Sequence, residues 1–252
     1  MNLRDALGLK HHEMASLIGA GGKTTALFRL AKELRDSGAK ILVTTTTKIF
    51  KPTKPHVDRL FLVEDPHVLL STASQIQAPA IIGAGYNVDD DEKLLGLPST
   101  WLDQLEQSRQ FDAILVEADG AASRLLKVPS ELEPVVPDRS HLTAWNMAIK
   151  VLGKPLQPNW VHRAETAISL LNATAETLVT KALIIRLLEH PFGCLKGIPP
   201  GSRKVAVLNQ ADSPEEIELA KDLARSLARV GFERIVITSY VGDAPVKGVI
   251  SN

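Results

Sequence analysis

Cysteine is almost absent. Cys194, in "HPFGCLKGIP", is the one thiol among 252 residues, so the chain has no internal disulfide and no cysteine-built zinc site. In that setting it reads as a structural or bystander thiol. An excess of either charge is also missing: 29 Lys and Arg stand against 29 Asp and Glu. This removes the electrostatic reason to expect nucleic acid or an anionic membrane as the main partner. No apolar run approaches the ~18 residues of a membrane span, and the start, "MNLRDALGLKHHEM", lacks the apolar core of a secretion signal. Internal repeats, low-complexity tracts and flexible linkers are likewise lacking. These absences set the expectation of a soluble, cytoplasmic protein with neither a nucleic-acid nor a membrane role. The length suits one large α/β domain or two small ones, with a sizeable core in either case.

What is there is an alternation of short apolar runs with helical patterns. "MASLI" (14–18), "KILVTT" (40–45), "RLFLV" (59–63), "PAIIGAG" (79–85), "DAILVEAD" (112–119), "KVAVLNQAD" (204–212) and "RIVIT" (234–238) read as strands. Between Thr24 and Arg35, Ala26, Leu27, Leu30, Ala31 and Leu34 share one helical face. A short helix is expected between 63 and 79, and Ser99 is expected to cap a helix running to Arg109. Ser213-Pro214-Glu215-Glu216 is a capping box with proline at the first helical position. Its helix presents Ile217, Ala220, Leu223, Ala224 and Leu227 to a core and ends at Gly231. Strands that are apolar throughout, alternating with amphipathic helices, predict a doubly wound, mostly parallel sheet covered on both faces. The middle breaks the pattern. "KVPSELEPVVPD" (127–138) holds three prolines and should be an irregular loop, and 160–196 has several helical apolar faces. The expectation is one domain over 1–252, with a loop and helical insertion at about 127–200. The acidic run Asp89-Asp90-Asp91-Glu92 reads as a solvated loop.

The stretch "SLIGAGGKTTALFRL" (16–30) sets glycines between a strand and a helix, followed at once by Lys23, Thr24 and Thr25. A phosphate loop sits in this place, where backbone N–H groups and a helix N-terminus together make an anion site. Gly19, Ala20, Gly21, Gly22, Lys23, Thr24 and Thr25 are the candidate phosphate-binding residues. Lys23 would reach the terminal phosphates and the Thr24 hydroxyl would ligate Mg²⁺. The usual G-x-x-x-x-G-K-[ST] spacing fails, because Leu17 occupies the first glycine position. The shorter G-x-x-G-K-T-T, Gly19 to Thr25, fits and is similar to the loop of the Mur ligases. A glycine turn with a solvated lysine is the plainer alternative. On either reading Lys23 is expected to be a surface charge with no core contact.

Four threonines close the second strand in "VTTTTKIF". Threonine is a good strand residue, but Thr46, Thr47 and Lys48 lie nearest the strand's end, where hydroxyls can meet a metal, a water or a phosphate. Thr47 is the candidate metal ligand of the run. "ILVEADGAASR" is an apolar strand ending in two acids, and either Glu117 or Asp119 would hold Mg²⁺ or position a water. Arg124 and Lys127 follow as contacts for phosphate or substrate. In "VLNQADS", Asn209-x-x-Asp212 is similar to the guanine-reading N-K-x-D element of GTPases, with Gln210 where the lysine would be. "ITSY" (237–240) falls where GTPases place a second base-contacting loop. The alternative for Asp212 and Ser213 is a helix-capping turn, so GTP and ATP both stay open.

Taken in order, "IGAGGKTT", "ILVTTTTKIF", "ILVEADGAASRLLKVPSELEPVVP", "VLGKPL", "VHRAE" and "VLNQAD" resemble the YqeC family of accessory proteins for selenium-dependent molybdenum hydroxylases. The match spans roughly residues 14 to 212, and its most specific block is "VEADGAASRLLKVPSELEPVVP". The resemblance implies a P-loop NTPase-like protein acting in maturation of a selenium-containing cofactor, with a molybdenum hydroxylase apoenzyme or its cofactor as partner. It implies functional parts for Lys23, Thr24, Glu117, Asp119, Lys127, Glu133, His162 and Arg163. Arg163 would stabilise charge on a phosphate or, more plainly, pair with Glu165 or Asp138. Glu133 among its prolines reads as a loop anchor. The expected function is that of a Mg²⁺-dependent NTPase. A nucleotide-gated chaperone and a Mur-ligase-like ATP-dependent enzyme are the alternatives.

Overall fold

A computed structural model describes residues 1–251. Its frame is a nine-stranded sheet in the order β13-β12-β11-β9-β1-β7-β2-β5-β4. β1 (Glu13–Gly19) lies between β7 (Ala113–Glu117) and β9 (Leu142–Ala148). β2 (Lys40–Thr45), β5 (Ala80–Gly85) and β4 (Arg59–Leu62) extend the sheet to one side. β11 (Arg203–Asn209) and β12 (Arg234–Thr238) extend it to the other. All eight run parallel. β13 (Val246–Ser251) closes the edge antiparallel to β12. The expected doubly wound α/β architecture is what the chain adopts.

Side-chain alternation divides the core. Met14 and Ile18 of β1, with Leu42, Val116 and Trp145, face one way; Ala15 and Leu17, with Ile41, Val43 and Leu115, face the other. The second face is covered by α1 (Leu3–Leu7) and α2 (Lys23–Asp36). The first carries α3 (Pro66–Ser74), α4 (Ser99–Gln107), α5 (Ala164–Leu171), α6 (Lys181–Glu189) and α7 (Pro214–Leu227). Two small ribbons sit outside the main sheet: β3 (Lys48–Phe50) pairs with β6 (Lys93–Leu95), and β8 (Leu126–Lys127) with β10 (Val161–His162). Ser213 caps α7 in the expected reciprocal box with Glu216.

Three expectations are corrected. Ser99 is the first residue inside α4, and the cap position is Pro98. The stretch 160–196 is two short helices joined by the 172–180 connection. Most consequentially, β9, within the region read as an insertion, stands inside the sheet beside the central strand β1. Its polar residues disguise it, and each is satisfied internally: Thr143 Oγ1 meets Ser202 Oγ at 2.8 Å, and Asn146 Nδ2 donates to Ala144 O at 2.8 Å. β13 also went unread, because an edge strand exposed along one side carries no continuous apolar run. Among the described residues, no helix is long and apolar enough to cross a membrane.

Candidate functional site

The carboxyl ends of β1, β2, β7, β9 and β11 bring the candidate residues together at one end of the sheet, where the chain leaves β1 for α2 and the strand order reverses. The glycines approach the protein itself. At Gly21, with φ of +75°, an added Cβ would lie 2.3 Å from Ala148 N at the end of β9. At Gly22, with φ of +117°, it would lie 2.4 Å from Asn209 Nδ2. The loop's early N–H groups are also spent inside. Gly19 donates to Asp119 Oδ2 at 2.9 Å, Ala20 to Asn146 O at 2.8 Å and Gly21 to Arg124 O at 2.9 Å. As phosphate donors, then, Gly19, Ala20 and Gly21 are corrected to structural roles. The outward donors are those of the first turn of α2, from Lys23 to Thr25, whose N–H groups precede the first intrahelical bond, Ala26 N to Gly22 O. No described side chain caps this turn and it holds no acid of its own, so its N–H groups and positive dipole end are free to meet an anion.

Lys23 is not a surface charge. Its residue is 4% exposed, and Nζ donates to Gly19 O at 2.6 Å, with Asp119 Oδ1 at 3.0 Å and Glu117 Oε1 at 3.8 Å. Thr24 Oγ1 donates to Glu117 Oε2 at 2.8 Å. The line of charge continues inward. Asp119 Oδ2 lies 3.3 Å from Lys127 Nζ, which also donates to Gly120 O at 2.5 Å and to Glu133 Oε2 at 2.9 Å. Glu133 Oε2 in turn lies 2.7 Å from Arg163 Nη1. Arg163, expected to pair with Glu165 or Asp138, instead pairs with Glu133 across the proline-rich loop. Lys23, Lys127 and Arg163 thus alternate with Glu117, Asp119 and Glu133, and neutralisation of this kind is what lets so many charges be buried.

The environments differ in direction. Burial pushes the Glu117 carboxyl above its ordinary range, against the pull of Lys23 and the Thr24 hydroxyl. At Glu133 burial acts the same way but is outweighed by Lys127 and Arg163, and the carboxyl lies below the usual range. Burial and then Arg163 hold His162 below an ordinary imidazole. Burial pushes the Cys194 thiol up to about 12, so it stays protonated and inert, as a structural cysteine does.

On the opposite flank, Asn209 Nδ2 donates to Gly21 O at 2.6 Å, and its Oδ1 accepts from Thr238 Oγ1 at 3.1 Å. Asp212 accepts from Ser239 Oγ on Oδ1 and from Lys150 Nζ on Oδ2, both at 2.6 Å. Lys150 above all, then Ser239, hold this carboxyl below its usual range. Ser239 belongs to the "ITSY" stretch, so the strand-end pair comes together as a unit. Lys150 was missed. It follows β9, 62 residues before Asp212, and brings the cation to the carboxylate that Gln210 does not supply; no local motif announces it. Thr25 lies exposed at the helix start. Thr47 is half-buried, its N–H donating to Thr45 Oγ1 at 3.0 Å. Together with Lys23, Thr24 and Glu117, Thr25 and Thr47 line a cavity of about 900 Å³.

The comparisons with known proteins agree with one another. The family model described as YqeC protein matches residues 15–165. A relative from Escherichia coli (strain K12), named uncharacterized protein YqeC, is 32% identical over 234 residues, which cover 93% of this chain and 88% of the relative. A strand-to-helix loop with a buried lysine, a Thr–Glu pair across it and a long internal charge line are therefore features of a chain that belongs to the YqeC family.

Proposed function

We propose that this protein binds a nucleoside triphosphate with Mg²⁺ and hydrolyses it, with GTP favoured over ATP, in maturation of the selenium-containing cofactor of molybdenum hydroxylases. The observation that carries the nucleotide reading is the uncapped, acid-free first turn of α2, opening into a large cavity with Lys23 and Thr24 set against Glu117. The available metal donors are all hard oxygens, from Thr24, Thr47 and Glu117, which suits Mg²⁺. Asp119 fits less directly, since its oxygens already serve Gly19 N–H, Lys23 and Lys127. A bound Mg²⁺ would withdraw charge from the phosphates. Lys23 would exchange its carboxylate partners for phosphate oxygens. Glu117, freed from Lys23, would orient either the metal shell or the attacking water, and Arg163 would need release from Glu133 to reach a phosphate.

The same charge line favours a second reading, a nucleotide-gated chaperone. It leads from Lys23 to Arg163, the residue that opens α5, so withdrawing Lys23 would be felt at the helices of 160–196. In that case the hydroxylase apoenzyme is the target.

Guanine selectivity rests on Asp212. Two hydrogen bonds from guanine to the carboxylate would require Lys150 to let go, and an exposed ion pair of this kind costs only ~0–1 kcal/mol to break. Each charge-assisted bond contributes roughly 1.5–3 kcal/mol, so GTP should bind at least about tenfold more tightly than ATP. Asp212→Asn should move the preference toward XTP. Calorimetric competition by GTP, ATP and XTP with Mg²⁺, on both proteins, tests this. Equal binding of GTP and ATP to wild type would reduce Asp212 to a structural partner of Lys150 and Ser239, and no triphosphate binding would overturn the nucleotide reading.

The selenium role rests on the family resemblance alone. Deleting the gene in a cell that makes a selenium-dependent hydroxylase is expected to lower that enzyme's selenium content, and an unchanged content would refute the role.

A further inference from the structure

The two flanks of the loop are unlike. Asn209, Asp212 and Ser239 stand on the β11–β12 side, whereas the 900 Å³ cavity reaches that side only at Gln210 and otherwise extends over the ends of β7 and β2. Asn209, Asp212 and Ser239 are not among the described residues that line it. A triphosphate whose base lies at Asp212 and whose tail ends at Lys23 would meet this lining at the loop and at Gln210, whereas Phe50, Lys93 and Arg124 belong to other parts of it, and the volume is that of a small-molecule site.

We propose that the cavity binds a second, phosphate-bearing small molecule alongside the triphosphate, held by Arg124, Lys48 and Lys93 with its apolar body against Phe50. The proposal rests on the nucleotide reading of the loop. Charge is the first support. The lining acids, Glu117 and Glu133, are already matched by Lys23, Lys127 and Arg163. The remaining lining cations, Lys48, Lys93 and Arg124, come from three separate segments. Lys48 and Lys93 pair with Asp89 and Asp91, acids outside the described lining, in exposed contacts that a phosphate can outcompete.

The backbone is the second support. Ala122 and Ser123 are consecutive non-glycine residues at φ of +44° and +57°. Left-handed backbone is unfavourable for a residue that carries a Cβ, and strain of this kind concentrates at ligand-clamping turns. The turn is fixed from both ends. Arg124 O accepts from Gly21 N, and the Arg124 side chain donates to Pro158 O at 2.5 Å and to Ala122 O at 3.2 Å. The guanidinium is thereby fixed beside the phosphate loop, ready to receive an anion in its fork geometry. Phe50 is the third support: a lining aromatic that is 74% exposed, placed where a bound molecule would cover it.

The test uses pyrophosphate as probe, titrated by calorimetry into protein saturated with Mg²⁺ and a non-hydrolysable triphosphate analogue. Wild type is expected to bind one further equivalent. Arg124→Gln and, from a different element, Lys93→Gln should each weaken that binding about tenfold, and Arg124→Lys, which keeps the charge but loses the fork, should fall between Arg124→Gln and wild type. The absence of pyrophosphate binding by saturated wild type, or undiminished binding in both glutamine variants, would overturn the subsite. If the analogue itself does not bind, the nucleotide reading fails separately. Pyrophosphate titrated alone into the same proteins then decides the subsite by the same loss in the two variants.

Discussion

Lys23→Ala is expected to lose triphosphate affinity about a hundredfold or more, because two charge-assisted phosphate contacts go at once, and also to destabilise the protein. The second effect follows from burial. The side chain is 3% exposed between Glu117 and Asp119, and removing one partner from a buried ion pair typically costs about 3–5 kcal/mol. Here the loss should be roughly 2–4 kcal/mol, since Glu117, already pushed toward its neutral form, can take up a proton, and Lys127 still serves Asp119. In a chain of this size that lowers Tm by about 5–15 °C. The double variant Lys23→Met with Glu117→Gln should recover much of the stability and none of the binding. Thermal melts and calorimetry on the same samples separate the two effects. An unchanged Tm in Lys23→Ala would mean that the buried charge line carries no net stability.

Glu117→Gln should act in opposite directions on stability and function. The folded carboxyl lies above its ordinary range, so the folded state holds the proton more tightly than the unfolded chain does. The resulting contribution to stability is present at low pH and is lost as pH rises through the raised value. Above that raised value the ligand-free protein bears the burial of a carboxylate. The glutamine variant removes that burden and should there melt higher than wild type, with a flatter dependence of Tm on pH. It should also lose the Mg²⁺ dependence of triphosphate binding. Melts on both sides of that value, with and without Mg²⁺, check both statements. A lower Tm above it would show that the contacts to Lys23 and the Thr24 hydroxyl outweigh burial.

The parallel sheet and the strand–loop–helix unit were legible because their signals are local. Uniform apolar runs mark doubly buried strands, and Lys-Thr-Thr after glycines marks one turn of one helix. What escaped was set by distance. β9 carries Thr143 and Asn146, whose partners Ser202 and Ile18 lie far away in sequence. Lys150 finds Asp212 only because β9 and β11 are neighbours. The environment of Lys23 was misjudged for a similar reason. A lysine at a helix start reads as exposed until the ends of β7 bring Glu117 and Asp119 over it. The Glu133–Arg163 pair likewise depends on the fold of the proline-rich loop rather than on helical spacing.

Gly21 and Gly22 press against Ala148 and Asn209 closely enough that neither tolerates a Cβ, and the loop's early N–H groups are bonded to β9 and to the loop that follows β7. The ligand-free loop is therefore preorganised: the conformational entropy of shaping it is spent when the chain folds, not when a ligand arrives. On the nucleotide reading, association then involves little ordering of backbone. Its slow coordinate becomes the transfer of one ammonium group, that of Lys23, from carboxylates inside the protein to an anion entering from outside.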